Sequence, residues 1–292
     1  MSGLRIDIEM PAGVRLEETG DSAVLTVPEK GMFEALIPIG IRSPKTKLLV
    51  KAGAGSRVRL VLDYEFEAGL EAEFELEASA FMDVFHLDCQ QRDTALSSRN
   101  VYRLKKHASL NVWTLATSGE ARLTHELNFL EPHGFASVRG LSLLGGRANV
   151  VHRVVADHQA GHCASRQFYK SILSGSARSA FESLVEVAKG ADKSDSRQLN
   201  KNLLLSKEAA AVSRPELKIH ADDVACAHGS ATGELRRDEL FYLRSRGIDE
   251  KTARLVMTEG FAAEVLEEIP DVPLKEELHE LVKLKIAEMA EI

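Results

Sequence analysis

Glycines divide the later half of the sequence at nearly regular intervals. Each glycine or glycine pair ends a stretch of strand-forming residues, and the next one follows 11 to 15 residues later: Gly134, Gly145, Gly146, Gly161, Gly175 and Gly190. Turn residues at such a spacing are typical of many short strands. The pattern predicts a coil in which successive strands stack on one another.

Alternation of apolar and polar residues supports the assignment of strands from about residue 5 to residue 189. Residues 57–62 and 71–77 both alternate, which directs one face of each strand inward and the other into water. Many short strands fit either a sandwich or barrel, or a β-helix. Phe, Trp and Tyr make up only 5% of the chain. Since a narrow coil suits Val, Ile, Leu and Ala, this composition favours the β-helix.

The sequence changes in character after Ala191. Residues 192–202 are polar without regular apolar spacing, and residues 203–206 and 215–219 are each predicted to form one more strand. Helical signals follow from residue 237 onward. We therefore predict a mainly β protein, with a β-helix core over residues 1–235 and a helical subdomain over residues 236–292.

Three C-terminal helices have recognisable boundaries. The first is predicted over residues 237–246 and stops at Gly247, Asp249 is a candidate N-cap for the second, and Pro270 ends the second. The third runs from about residue 274 to 292. The second and third helices carry apolar stripes formed by Ala253, Val256, Met257, Gly260 and Phe261, and by Leu274, Leu278, Leu281, Val282 and Met289. The stripes indicate either packing on the fold or docking of a partner, because a terminal helical segment is expected to have only the solenoid end to cover.

Charge and cysteine content exclude several classes of protein. Lys and Arg number 37 against 44 Asp and Glu, a net charge of −7, so nucleic acid is not an expected partner. Acids near the N-terminus and the lack of a long apolar window predict a protein without signal peptide or membrane span, in the cytoplasm. Three dispersed cysteines without a C-x-x-C pair predict reduced thiols rather than disulfides.

Five side chains are candidate ligands for a soft metal. Cys226 and His228 are two apart, so on a strand they share a face at roughly 7 Å. Two ligands are too few for a stable site, and the others must come from another turn or another subunit. His158, His162 and Cys163 are further ligand-type residues, with Cys163 facing opposite to His162 on a strand. The alternatives are a small buried thiol for Cys226 and a structural histidine for His228.

Motifs for catalysis are absent from the sequence. It contains no G-x-x-x-x-G-K-[ST] loop, no G-x-S-x-G elbow and no H-E-x-x-H pair, so we do not expect an enzyme. One competing hypothesis is a metal-dependent enzyme on a cupin-like or β-helix scaffold, using His158, His162, Cys226 and His228. An H-x-H pair with a following glutamate at cupin spacing is missing, which argues against it.

Residues 213–233 and 240–248 closely resemble the SufB/SufD family of iron–sulfur cluster assembly proteins. Residues 202–206, Asn-Leu-Leu-Leu-Ser, resemble a second family segment, and His158 with residues 165–167 resembles the family's histidine and serine turn. The resemblance implies a right-handed parallel β-helix whose C-terminal helices bind a SufC-like ABC ATPase. It also implies a scaffold role in building or transferring iron–sulfur clusters, with nucleotide hydrolysis supplied by the partner.

Two differences from the usual family pattern indicate which members of the family the chain resembles. We expect it to begin directly on strands, as a short member of the family that lacks the usual N-terminal helical region. Its C-x-H-G motif is that of SufD, because Gly229 stands where SufB has a glutamate, and Asn200 stands where SufB has a proposed cluster-holding cysteine. The chain therefore resembles SufD more than SufB, and a cluster-holding role inferred from SufB does not transfer directly.

The resemblance also implies partners and cargo. We expect a transient iron–sulfur cluster at a subunit interface near Cys226 and His228, formed by a homodimer or by a heterodimer with a SufB/SufD paralogue. Downstream apo iron–sulfur proteins would receive the cluster. Candidate ATPase anchors on the helices are Phe241, Tyr242, Val256, Phe261 and Val265. A purely structural subunit, which binds the ATPase and a cluster-holding paralogue without touching metal, is the remaining hypothesis.

Overall fold

The computed structural model describes residues 4–5, 10–65, 68–89, 95–117 and 119–290. Strands account for most of the described chain, and three helices follow them. The strands are β1 Leu4–Arg5, β2 Arg15–Thr19, β3 Ser22–Val27, β4 Met32–Ile41, β5 Thr46–Ala52, β6 Arg57–Tyr64, β7 Gly69–Leu76, β8 Phe81–Asp88, β9 Leu96–Leu104, β10 Ser109–Ala116, β11 Glu120–Phe129, β12 Phe135–Leu144, β13 Asn149–His158, β14 Ala164–Leu173, β15 Arg178–Val187, β16 Asp195–Leu204, β17 Ala210–Ile219 and β18 Ala225–Gly233. The helices are α1 Arg237–Ser245, α2 Glu250–Leu266 and α3 Val272–Ala290.

The strands form two sheets that face each other across the interior. The first sheet has the order β1-β4-β6-β8-β10-β12-β14-β16-β18, and the second has the order β2-β3-β5-β7-β9-β11-β13-β15-β17. All pairs are parallel except β1 with β4 and β2 with β3. The chain alternates between the sheets and makes a parallel β-solenoid of about seven turns. The predicted β-helix is confirmed, and the sandwich and barrel are excluded.

Aromatic side chains are part of the solenoid interior. Phe74 and Tyr102 stack in the second sheet with ring centroids 4.6 Å apart, and Tyr169 packs on Phe181 at 4.8 Å. All four side chains are buried. The low aromatic content pointed to the right architecture, and the interior is mainly Leu, Val, Ile and Ala with a few aromatic rings among them. Parallel register brings rings on adjacent strands directly over one another, so a solenoid accommodates them by stacking.

Turns between strands use the left-handed backbone region where the glycine pattern predicted them. Gly175 follows β14 with a φ of 62°. A Cβ atom at that position would lie 2.9 Å from the carbonyl oxygen of Gly146 in the turn above. Both the positive φ and the close approach of two turns require glycine here.

Residues 192–202 differ from the sequence-based expectation. Most of this polar stretch belongs to β16, which begins at Asp195 and pairs with both β14 and β18. Its inward residues Ser196, Gln198 and Asn200 are buried and polar. The stretch does alternate with period two, but the inward face is polar instead of apolar, so a search for apolar spacing misses the strand.

The three helices begin and end close to the predicted positions. Asp249 caps α2, its carboxylate accepting a hydrogen bond from the Thr252 amide at 3.0 Å, and Gly247 has a φ of 88° after α1. Asp271 caps α3 through the Leu274 amide at 3.0 Å. No helix in the described ranges combines the length and the apolar content needed to cross a membrane.

Helices α2 and α3 pack on the outer face of the first sheet. Buried residues of the two helices form one apolar cluster with outward-facing residues of the sheet: Ala262, Val265, Leu266, Leu274, Leu278, Val282, Ile286 and Met289, with Phe85, Trp113, Leu115, Leu141 and Ile172. The expectation that the helices have only the solenoid end to cover is therefore wrong. The predicted stripe of α2 is also rotated, because Val256 is 50% exposed.

A buried lysine fastens α2 to the sheet. Lys170 on β14 is 1% exposed, and its ammonium lies 2.8 Å from the Glu264 carboxylate and 2.6 Å from the Phe261 carbonyl oxygen. The ammonium also lies 4.1 Å from the centre of the Phe261 ring. Burial lowers the pKa of Lys170, and the Glu264 carboxylate opposes that shift. Glu264 thus provides most of the charge compensation for a cation that water does not reach.

Glu264→Ala is expected to destabilise the protein more than Lys170→Met. Removing one partner of a buried pair leaves an uncompensated charge and costs about 3–5 kcal/mol when both groups are buried. Because the Glu264 side chain is 53% exposed, we expect about 2 kcal/mol. Lys170→Met removes the charge together with its desolvation and should cost about 1 kcal/mol or less. Urea midpoints measure both, with Glu276→Ala as an exposed control, and the opposite ranking would contradict this role for Lys170.

Candidate functional site

The C-terminal end of the solenoid is open. β17 and β18 are the last strands of the two sheets, and within the described ranges no further strand pairs with their outer edges. Inward-facing residues of this last turn are incompletely covered, as Ile219 is 37% exposed and Leu217 is half-buried. An edge with free backbone groups beside apolar side chains is a surface on which another strand can pair.

The interior becomes polar toward this open end. On the first sheet, the inward residues of β6 include Val58, Leu60 and Leu62, which are fully buried. The inward residues of β14, β16 and β18 are instead polar or carry a thiol, and residues in register on the three strands form columns. The four columns are Ser165, Ser196 and Cys226; Gln167, Gln198 and His228; Tyr169, Asn200 and Ser230; and Ser171, Asn202 and Thr232. Cys226 and His228 thus terminate two columns of buried polar groups.

A line of hydrogen bonds connects His158 to the strand beside Cys226. The Nε2 atom of His158 lies 2.9 Å from the Ser165 hydroxyl, which lies 2.8 Å from the Ser196 hydroxyl. Ser196 is the neighbour of Cys226 in the first sheet, and its backbone hydrogen-bonds the Cys226 sulfur. Burial raises the pKa of Cys226 despite that bond, so the half-buried thiol is protonated at neutral pH.

The neighbouring column places His228 at the solvent. His228 is exposed and lies beside Gln198, whose amide nitrogen donates to the Ser183 hydroxyl. Ser183 in turn donates to Gln167 one turn earlier. The two-residue spacing of Cys226 and His228 puts both on the inward side of β18, as the sequence predicted. Their side chains therefore face the same open end.

The structure does not bring the other candidate ligands to this end. His158 is buried in the interior and stacks on Phe129 at 4.4 Å, and burial lowers its pKa to about 4. His162 is exposed in a turn with a φ of 59°, where its ring lies 4.9 Å from that of His133. The predicted grouping of His158 and His162 with Cys226 and His228, on which the metal-enzyme hypothesis was built, is not present.

Cys163 is a buried thiol of the interior. It is 1% exposed, its Sγ atom donates to the Glu131 carbonyl oxygen at 3.4 Å, and burial raises its pKa. Cys163 and His162 do face opposite directions as predicted, although they lie in a turn and not on a strand. Across the described ranges, no three His, Cys, Asp or Glu side chains are grouped so that they could hold a metal ion. A metal ion at Cys226 and His228 would need further ligands from outside the described residues.

The helical anchors divide into exposed and buried residues. Phe241 is 73% exposed, Tyr242 is 57% exposed and Val256 is 50% exposed, and α1 has no buried residue. Phe261 is half-buried against Lys170, and Val265 is 2% exposed within the cluster under α2. Val265 is therefore not available at the surface as the predicted anchor. Phe241 and Tyr242 on α1 and Val256 on α2 are the predicted anchors that remain exposed.

Comparison with known proteins identifies the family. Residues 42–261 match the family model described as SUF system FeS cluster assembly, SufBD core domain. The chain is 41% identical over 126 residues to the iron–sulfur cluster assembly protein SufD of Escherichia coli, an alignment that covers 43% of this chain and 30% of that protein.

Two further relatives extend the match. Protein ABCI7, chloroplastic, of Arabidopsis thaliana is 38% identical over 132 residues, which cover 45% of this chain and 27% of that protein. An iron–sulfur cluster assembly SufBD family protein of Mycobacterium tuberculosis is 28% identical over 296 residues, which cover 96% of this chain and 69% of that protein. The alignments to the first two proteins span less than two thirds of their lengths. Given the solenoid and the match over residues 42–261, the chain belongs to the SufB/SufD family of SUF-system iron–sulfur cluster assembly proteins.

Proposed function

We propose that the chain is a scaffold subunit of a SUF-type complex that assembles or transfers iron–sulfur clusters. One observation carries the proposal: Cys226 and His228 share the inward side of the last turn, beside two strand edges with which no strand of the described ranges pairs. A second SufB/SufD chain, either a copy or a paralogue, pairs with β17 and β18 there. Ligands from that chain complete a site for the cluster, which is cargo rather than a resident cofactor.

The Cys226 thiolate is a soft ligand and the His228 imidazole is a borderline one. Both therefore suit iron in a cluster that contains sulfide. Burial keeps Cys226 protonated until a metal binds, so loading releases a proton from the thiol. The Ser165 and Ser196 hydroxyls hold the His158 ring and the strand beside Cys226 in place, and they do not contact the cluster. The chain itself performs no catalytic step in this proposal.

A SufC-like ABC ATPase binds the exposed surface of α1 and α2 formed by Phe241, Tyr242 and Val256. Since α1 fully buries none of its residues and exposes Phe241 and Tyr242, these two rings can enter a groove of a partner. ATP turnover in the bound ATPase then shifts the two solenoids relative to each other and opens or closes the cluster site. Apo iron–sulfur proteins receive the cluster when the site opens.

Phe241→Asp is expected to abolish co-elution with the cognate ATPase on size-exclusion chromatography. The substitution replaces an exposed ring of α1 with a charge, and loss of such an anchor typically costs 2 kcal/mol or more, about 30-fold in affinity. Leu284→Asp is the matched control, because Leu284 is 67% exposed on α3 outside the surface. Unchanged co-elution of a folded Phe241→Asp variant would exclude this docking surface.

A further inference from the structure

A cavity of about 560 Å³ lies between the turn after β16 and the two helices α1 and α2. Four basic side chains line it: Lys207, Arg237, Arg244 and Arg254. Arg237 and Arg244 are seven residues apart on α1, so they project from the same face of that helix. Lys207 comes from the turn and Arg254 from the second turn of α2. Three separate elements thus direct cations into one cavity.

Four cations and two acids line the first cavity, so the charge of its lining is positive. Arg244 pairs with Glu250 at 3.3 Å, whereas Lys207, Arg237 and Arg254 form no ion pair within the described ranges. Glu234 is the only other acid that lines the cavity. A net positive cavity stands out in a chain with a net charge of −7. Guanidinium groups match the geometry of phosphate oxygens through paired hydrogen bonds, so the cavity has the chemistry of a phosphate site.

A second cavity of about 600 Å³ adjoins the first and shares Arg254 with it. Its apolar walls include Leu205, Leu255 and Ile286, where α2 and α3 meet the edge of the solenoid. Glu208, Glu250 and Lys251 line its rim beside Arg254. Ser174 also lines it. That side chain is 5% exposed, and its Oγ atom has no hydrogen-bond partner within the described ranges. A buried hydroxyl without a partner is costly, and a polar group of a ligand would satisfy it.

We propose that the paired cavities bind an organic phosphate. Lys207, Arg237 and Arg254 hold the phosphate groups, and the apolar part of the molecule lies between Leu205 and Leu255 with a polar group near Ser174. Each cavity has a volume typical of small-molecule sites. Organic phosphate would bind to the isolated chain, although Phe241, an anchor of the proposed ATPase surface, also lines the first cavity.

Titration calorimetry on the full chain tests the proposal, with inorganic pyrophosphate and ADP as the two probes. Pyrophosphate reports the cationic cavity alone, and ADP reports both cavities. We expect both to bind at 50 mM NaCl, ADP at least about tenfold more tightly, and both to weaken at 500 mM NaCl. Arg254→Ala should weaken both probes about tenfold or more, since a charged hydrogen bond is lost. Ser174→Ala should weaken ADP alone, by about fivefold.

Arg214→Ala is the matched control, because Arg214 is an exposed arginine of β17 that pairs with Glu182 on the second sheet. It should leave both affinities unchanged. Failure of both probes to bind, or equal binding to a folded Arg254→Ala variant, would overturn the proposal. Equal affinity for pyrophosphate and ADP would overturn the assignment of the apolar cavity to the ligand.

Discussion

Lowering the pH from 7 to 5 is expected to destabilise the solenoid by several kcal/mol, through histidines that its interior keeps neutral. Four imidazoles are fully buried between the sheets: His86, His125, His152 and His158. Burial lowers the pKa of His86 to about 3 and those of His152 and His158 to about 4, and it lowers that of His125 as well.

The direction of the effect follows from proton binding in the two states. In the unfolded chain a histidine has a pKa near 6.5, so it takes up a proton below that pH. In the folded protein the same imidazole stays neutral until the pH approaches 4. Stability is therefore complete above about pH 7 and is lost as the pH falls from 6.5 toward 4. Each histidine contributes a slope of up to about 1.4 kcal/mol per pH unit in that window.

Urea unfolding at a series of pH values between 7.5 and 5 measures this loss. His158→Asn is expected to flatten the curve by up to about 1.4 kcal/mol per pH unit, because one buried titrating group is removed while an amide remains opposite Ser165. The control Gln159→Asn changes an exposed side chain without a titrating group directly after β13 and should reproduce the parent slope. An unchanged slope in a folded His158→Asn variant would show that the buried imidazoles do not drive acid unfolding.

The sequence pattern predicted the architecture because solenoid turns are local features. Glycines such as Gly175 occupy backbone positions that other residues rarely adopt, and the strands between them alternate visibly. The helix caps at Asp249 and Gly247 are equally local and were predicted correctly. Signals that depend only on neighbouring residues were therefore enough to predict which segments are strands or helices and that the turns stack.

Burial that depends on packing between distant segments could not be predicted from local spacing. β16 escaped detection because Ser196, Gln198 and Asn200 are inward and polar, and only the neighbouring strands show that they are buried. Val265 resembles an exposed anchor until α2 is placed against the first sheet. Packing between distant segments decides both cases, and local spacing carries no information about it.

In the candidate site, too, local features were predictable and contacts between distant residues were not. Spacing predicted that Cys226 and His228 share a face, and register in the first sheet bears this out. Proximity in sequence also suggested a group around His158 and His162. His158 ends β13 with its ring buried inside, whereas His162 lies in the following turn with its ring exposed. Lys170, which fastens α2, carried no sequence signal because its partner Glu264 lies far along the chain.

Loss of Cys226 and His228 together is expected to remove cluster loading. Changes to groups that merely support a metal ligand lower affinity by about 10–100-fold, so removing two ligands should lower loading at least about tenfold. The interface with the second chain is expected to persist, because backbone pairing at β17 and β18 does not need these two side chains. Cys226→Ser with His228→Ala is the informative variant, and Cys163→Ser is the control, since its thiol is buried inside the solenoid.

In the proposed function, the open end of the solenoid binds an iron–sulfur cluster through Cys226 and His228. The most direct test of this claim is anaerobic incubation of the purified chain and its cognate ATPase with iron and sulfide, followed by visible absorbance and analysis of bound iron and sulfide. We predict absorbance and bound metal in the parent and in Cys163→Ser, and a loss of at least about tenfold in the double variant. Full loading of the double variant would contradict the claim and leave the chain a purely structural subunit.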